Sequence, residues 1–326
     1  MGNAGAKSEL RVYTYAGSYR PGEEVTGTVN LYLAKKSLQL GLDLEIVGEE
    51  SYCVAGLEQA NRRERTFNYR AVLFNSELDK GAYEFPFAIL LPSSLSSSFS
   101  LQTKSFAAAV SYYIRTSLPQ SSLVSTVQLN IINSSPISQP IVVEETYPLT
   151  CCCFNSDFIR VSACLDQGEY SSSDDVLVTI GVDTLGASQG VRAIRLELVQ
   201  ITRLRRGNNA NAMVFSQVVL DSEIPKQMHA HTICTEGNAL QALLSLQSTA
   251  VAGATHGAIV ESGLRIDVKV RTERGQELLL SLPLVVRNRA CAEAYSPPLP
   301  SDWKPVVIST TRLIQRSAQP FALPSR

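Results

Sequence analysis

Apolar and polar residues alternate with period two through most of this chain, and that alternation restricts the fold more than any other feature. In VTGTVNLYL, Val25, Gly27, Val29, Leu31 and Leu33 fall on one side of an extended chain, and Thr26, Thr28, Asn30 and Tyr32 fall on the other. LQLGLDLEI gathers Leu38, Leu40, Leu42, Leu44 and Ile46 on one face. GLRIDVKV sets Leu264, Ile266, Val268 and Val270 against Arg265, Asp267, Lys269 and Arg271. A helix would scatter these residues around its axis, whereas a strand collects them. Further strands are expected at 10–16, 66–74, 82–90, 106–117, 124–132, 157–165, 174–182, 190–204, 213–221 and 277–286. Polar turns separate them: Arg20-Pro21-Gly22-Glu23, Asp79-Lys80-Gly81 and Arg206-Gly207-Asn208-Asn209. The stretch ALQALLSLQ, 239–247, fits neither the strand nor the helix period. The expected class is all-β, built as sandwiches.

With 326 residues, 44% of them hydrophobic, the chain is long enough for two domains with separate cores. We place a flexible N-terminus at 1–9, a first sandwich at 10–133 and a linker with the lead-in to the second domain at 134–150. A second sandwich follows at 151–290 and a Pro/Ser-rich tail at 291–326. The linker contains the polar run NSSPISQP, and within the tail VVISTTRLI, 306–314, has strand character. The formal net charge of -1 gives no reason to expect nucleic acid as a partner. The start, MGNAGAKSEL, lacks the apolar core of a secretory signal, and no apolar run reaches the ~20 residues of a membrane span. Seven Cys, three of them adjacent at Cys151–Cys153, make a poor disulfide framework, so reduced thiols in a cytoplasmic protein are expected.

Several ordered motifs carry a family resemblance. Tyr19-Arg20-Pro21-Gly22-Glu23-Glu24-Val25-Thr26-Gly27-Thr28-Val29 combines a Pro-Gly turn with the start of an alternating strand. Gly81-Ala82-Tyr83-Glu84-Phe85-Pro86-Phe87 is followed by Leu91-Pro92 and by Ser98-Phe99, and then by a strand around Tyr112 and Tyr113. Leu264–Arg271 and Leu278–Val286 form a closing hairpin pattern. In this order, over roughly 10–288, the set resembles the α-arrestin family, the arrestin-domain-containing proteins. The resemblance implies two tandem immunoglobulin-like β-sandwich domains, an arrestin-like N-domain and C-domain. It also implies a non-enzymatic adaptor or scaffold in membrane-protein trafficking, acting in cargo recognition, endocytosis or ubiquitin-ligase recruitment. A second reading is the arrestin-like subunit of a retromer-like endosomal sorting complex, and a third is a purely structural scaffold. The Pro-Pro-x-Tyr motif through which the family's tails recruit ligases is not in this sequence.

The candidate sites are sites of contact. Removal of Met1 would expose Gly2, and Gly2-Asn3-Ala4-Gly5-Ala6-Lys7 is close to a myristoylation acceptor, with Ala6 where Ser or Thr is usual. One acyl chain binds membrane marginally, so a second signal would be needed. Pro297-Pro298-Leu299-Pro300 favours polyproline II and suits the aromatic groove of a WW-type domain. His229, His231 and Cys234 have metal-ligand chemistry but no fourth ligand, so they read as a polar loop. No nucleophile elbow, phosphate loop or zinc-protease motif occurs, and three His leave little general-base capacity. No catalytic residue, metal or cofactor is therefore expected. The expected partners are cytoplasmic segments of membrane proteins, a ubiquitin ligase or coat component, and the membrane surface through the acyl chain. The expected location is cytoplasmic, peripheral to the plasma membrane or endosomes.

Overall fold

A computed structural model describes residues 7–133, 139–149, 157–206, 212–224, 227–235, 238–247, 252–287 and 305–307. Its strands in the first stretch are β1 (Glu9–Thr14), β2 (Glu24–Leu33), β3 (Ser37–Val54), β4 (Arg62–Leu78), β5 (Gly81–Leu90), β6 (Phe99–Gln102), β7 (Phe106–Ser117) and β8 (Val124–Leu129). Then come β9 (Ile141–Pro148), β10 (Phe158–Leu165), β11 (Glu169–Ser171), β12 (Asp175–Asp183), β13 (Val191–Leu204) and β14 (Met213–Ile224). The series closes with β15 (Ile233–Cys234), β16 (Leu240–Ser245), β17 (Thr255–His256), β18 (Val260–Thr272), β19 (Glu277–Arg287) and β20 (Pro305–Val307). Helical structure among the described residues is limited to 3-10 turns, at Glu58–Ala60 and at Asn238. The all-β class expected from the alternation is the class observed, and 240–245, within the ambiguous ALQALLSLQ, is a strand.

The chain divides into two compact units, one of residues 1–133 with 290–326, the other of residues 134–289. In the first, a four-stranded sheet in the order β1-β2-β5-β20 faces a five-stranded sheet ordered β4-β3-β7-β6, with β8 also on β7. The alternation sets the register. Val25, Val29, Leu31 and Leu33 of β2 and Phe85 and Phe87 of β5 turn inward and are buried, as are Leu42, Leu44 and Ile46 of β3. The rings of Phe74 (β4) and Phe85 (β5) meet across the two sheets with centroids 5.4 Å apart. One side closes where the Val12 amide of β1 donates to Ser125 Oγ of β8 at 3.0 Å.

In the second unit, β15-β12-β10-β9, with β16 on β12, faces the six-stranded sheet β11-β19-β18-β13-β14, with β17 on β18. Its core is one cluster: Ile159, Val161, Val178, Ile180 and Val182 pack with Ile194, Leu196, Leu198, Ile266, Val268, Leu280 and Leu282. Each of these side chains removes apolar area from water at about 25 cal/mol per Å², the main favourable term in holding two such sheets together. The strand β9 pairs with β10 along its whole length, from Phe158 opposite Pro148 to Leu165 opposite Ile141.

Candidate partner-binding edge

The motif at 19–29 builds one corner of the first unit. The Glu23 amide donates to the Arg20 carbonyl at 3.0 Å, and Gly22 has φ of 83°, so Pro21 and Gly22 occupy the central positions of a type II turn. Only a residue without Cβ takes that φ at no cost. Glu23 Oε2 also accepts the Arg20 amide at 2.7 Å. Tyr19 is buried and anchors the corner: its amide donates to Asn130 and its carbonyl accepts from Ile132, both at 2.9 Å. Farther on, Gly27 lies opposite Phe87 in the β2–β5 register. A Cβ at Gly27 would press on the Tyr13 carbonyl oxygen and the Phe87 ring, so the glycine makes room for the second Phe of Phe85-Pro86-Phe87.

That Phe-Pro-Phe strand borders a site of strand addition. β5 pairs with β2 on one side and on the other receives β20 in parallel, with Pro305, Val306 and Val307 opposite Ala82, Tyr83 and Glu84. A proline cannot donate to a ladder, so Pro86 belongs on a strand at or near a sheet edge. The described residues of the added strand reach Glu84. Tyr83 is buried, and its hydroxyl donates to the Asp79 carbonyl at 2.8 Å, fixing the turn that leads into the edge. Main-chain groups here take up an extended segment by pairing, which asks little of side-chain identity.

The outer face of the five-stranded sheet carries buried carboxylates. Glu49, in the middle of β3, accepts from Arg65 Nε at 3.3 Å and from Tyr113 Oη at 3.2 Å, and is also bound by Arg63. Burial alone would raise its pKa, but the Arg63 hydrogen bond and charge, with Tyr113 and Arg65, outweigh it and hold the carboxyl below its ordinary value. Burial, followed by the Glu49 charge, raises the Tyr113 phenol. Six residues back along β3 on the same face, Asp43 accepts from Arg70 at 2.5 Å. The second unit repeats the device. Glu197 binds Lys269 Nζ at 2.8 Å and Arg195 at 3.4 Å, while Asp267 binds Arg265 at 2.9 Å and Ser281 Oγ at 2.7 Å. The pairs of Glu49 with Arg63, Asp43 with Arg70 and Glu197 with Lys269 join neighbouring strands, whereas Arg195–Glu197 and Arg265–Asp267 each lie within one strand.

Gly2, Pro297, Pro298, Leu299 and Pro300, and Cys151–Cys153, lie outside the described residues. His231 has a left-handed φ of 59°, and its Nδ1 lies 3.0 Å from the Leu185 carbonyl, while Cys234 Sγ donates to Asn238 at 2.7 Å. Each is thus engaged with backbone of a different segment. No cluster of three potential metal ligands occurs among the described residues. In the serine-rich loop, Ser97 and Ser98 hydroxyls bond the backbone of Asn133, Leu129 and Ile131. Sequence reasoning missed the buried carboxylates. Their signal is the pair Glu49-Glu50 directly after the alternating stretch Leu38–Ile46, beside Arg-rich β4.

Residues 11–133 match the family model of the arrestin (or S-antigen) N-terminal domain, a stretch that runs from within β1 to the segment after β8 and leaves out β20. No curated protein matches the chain.

Proposed function

We propose that this arrestin-domain protein is a non-enzymatic adaptor that brings cytoplasmic segments of membrane proteins to the trafficking machinery. An arrestin domain points to adaptor work in trafficking in general, and residues 11–133 carry that domain. The observation behind the finer reading is the edge of β5, which holds three tail residues as an added parallel strand. An edge that takes up extended chain in this way suits extended cytoplasmic segments of a membrane protein. In this reading the second sandwich is the arrestin-like C-domain. An acyl chain on Gly2 supplies part of the membrane affinity, and Pro297–Pro300 engages a WW-type domain of a ubiquitin ligase or coat component. Modest contacts on one body raise effective concentration at the membrane, so none has to be tight alone.

The test is mild crosslinking of a C-terminally tagged chain in its own cells, followed by identification of what co-purifies. Receptors, transporters or ubiquitin ligases support the adaptor. A stoichiometric helical-solenoid subunit with sorting nexins moves the assignment to a retromer-like coat. Intact-mass measurement of the same material shows whether Gly2 carries an acyl chain.

A further inference from the structure

Many protein kinases choose a hydroxyl by the positive charge ahead of it in the chain. The sequence has only two hydroxyl residues with an arginine three positions before them, Thr14 after Arg11 and Thr66 after Arg63. The fold separates the two. Thr14, on β1, is 4% exposed, and its hydroxyl donates to the Ala16 carbonyl at 3.2 Å. Thr66 is exposed, in the run Arg62-Arg63-Glu64-Arg65-Thr66 that opens β4, the strand at the end of its sheet. It is also where β4 leaves its register. Gly48 of β3 faces Phe67 and Glu49 faces Arg65, so Thr66 is the extra residue of a β-bulge. The extra residue of a bulge is unpaired in the ladder, so lifting it breaks no pair with β3. Arg63 and Arg65 turn outward with side chains 70% and 56% exposed, and both bind Glu49, whose side chain is 6% exposed.

We propose that Thr66 is a phosphorylation site, selected by a protein kinase that reads Arg63, and that the phosphate then draws Arg65 away from Glu49. The kinase's base takes the proton from Thr66 Oγ1, and that oxygen bonds to the γ-phosphorus of ATP. The bond from this phosphorus to the bridging oxygen breaks, and ADP leaves. The product carries about −1.5 to −2 charge at neutral pH and three acceptor oxygens, next along the chain to Arg65. Arg65 is the weaker holder of Glu49: it donates from Nε at 3.3 Å, whereas Arg63 donates from both Nε and Nη2. The phosphate offers the Arg65 guanidinium a more highly charged acceptor than a shared carboxylate. Glu49 keeps Arg63 and Tyr113, so β3 and β4 stay joined. Three arginines and one glutamate give residues 62–66 a charge of +2, which the phosphate largely cancels. The site lies on the other sheet of the first unit from β5 and does not depend on strand addition there.

Phosphopeptide mapping of the full-length chain, isolated from its own cells under phosphatase inhibition, tests this. One phosphoryl group is expected on Thr66 and none on Thr14. Expressed in the same cells, Arg63→Gln should lower Thr66 occupancy at least about tenfold, through loss of one charge-assisted contact with the kinase. Arg70→Gln breaks a similar pair, with Asp43, from the same strand and should leave occupancy unchanged. Should Arg63→Gln fail to fold, Arg63→Lys decides, since it keeps the charge beside Glu49 but loses the planar fork, and occupancy should again fall. With Thr66 phosphorylated, Glu49→Gln should cost less stability than on the Thr66→Ala background, because Arg65 has already turned to the phosphate. An unmodified Thr66 overturns the proposal, and so does an occupancy indifferent to Arg63. An equal cost of Glu49→Gln in both forms overturns the transfer of Arg65.

Discussion

At the scale of single residues, the positions that matter most are those where a side chain has no freedom to move. Gly27 is one, since a methyl group there meets the Tyr13 carbonyl, which is held by the β1–β2 ladder, and the buried ring of Phe87. Gly27→Ala should destabilise the first unit by about 1–3 kcal/mol, the usual cost of overpacking, although alanine normally suits a strand better than glycine. Denaturant midpoints of the two chains measure it. Glu49 is another. Burial works against its charge, but Arg63, Arg65 and Tyr113 win and lower its pKa. A lowered folded-state pKa stabilises the fold above the unfolded carboxyl's value of about 4.3. That contribution is lost as pH falls through the folded-state value. Glu49→Gln should therefore be less stable than wild type near neutrality, and the gap should narrow as the solution is taken below about pH 4. Thermal unfolding followed from neutral to acid pH reads that convergence, and a constant gap would refute the electrostatic account.

At the scale of elements, alternation located the strands well wherever one face is apolar. β7 was expected at 106–117 and spans Phe106–Ser117, and β2, β5, β10 and β13 begin or end within a residue or so of expectation. It failed where charge interrupts the period. The expected strand 38–46 continues as β3 to Val54, because Glu49 and Glu50 are buried by partners on other strands that the local sequence does not contain. β4 likewise starts at Arg62, where the salt-bridged Arg62, Arg63, Glu64 and Arg65 look like a loop. The serine-rich segment before β6 carried no period at all, yet it is a structural joint. Ser98 donates its amide to the Ile131 carbonyl at 2.8 Å, and its Oγ accepts the Ile131 amide at 2.8 Å. Ser98→Ala would leave the amide of buried Ile131 without its acceptor and should cost about 1–3 kcal/mol. Amide exchange at Ile131 should quicken correspondingly, whereas Ser94→Ala, in an exposed position, should leave it unchanged.

At the scale of the whole molecule, the connectivity carries information that local pattern could not. The tail motif VVISTTRLI advertised a strand, but not which edge would receive its first residues, since main-chain pairing leaves no mark in the acceptor's side chains. Pro86 within Phe85-Pro86-Phe87 fits a strand that borders an edge, but the motif does not specify which segment covers it. The structure joins residues at opposite ends of the sequence: 305–307 extend the sheet that also contains β1 and β2, and 290–326 group with the first unit although the second intervenes. Truncation after Arg289 therefore removes the outer strand of the first sheet while leaving every strand of the second unit in place. Backbone groups of β5 beside Ala82–Glu84 then face water, and the edge loses the cover that Pro86 alone cannot provide. Hydrogen exchange of the truncated chain should be faster at Ala82–Glu84 and little changed in the core strands β12, β13 and β18. The lost strand is short, so the expected change is local and the first unit should remain folded. Equal acceleration in both units would mean that the tail stabilises the molecule by some route other than pairing with β5. No acceleration at Ala82–Glu84 would mean that this edge is open in solution and already available to a partner.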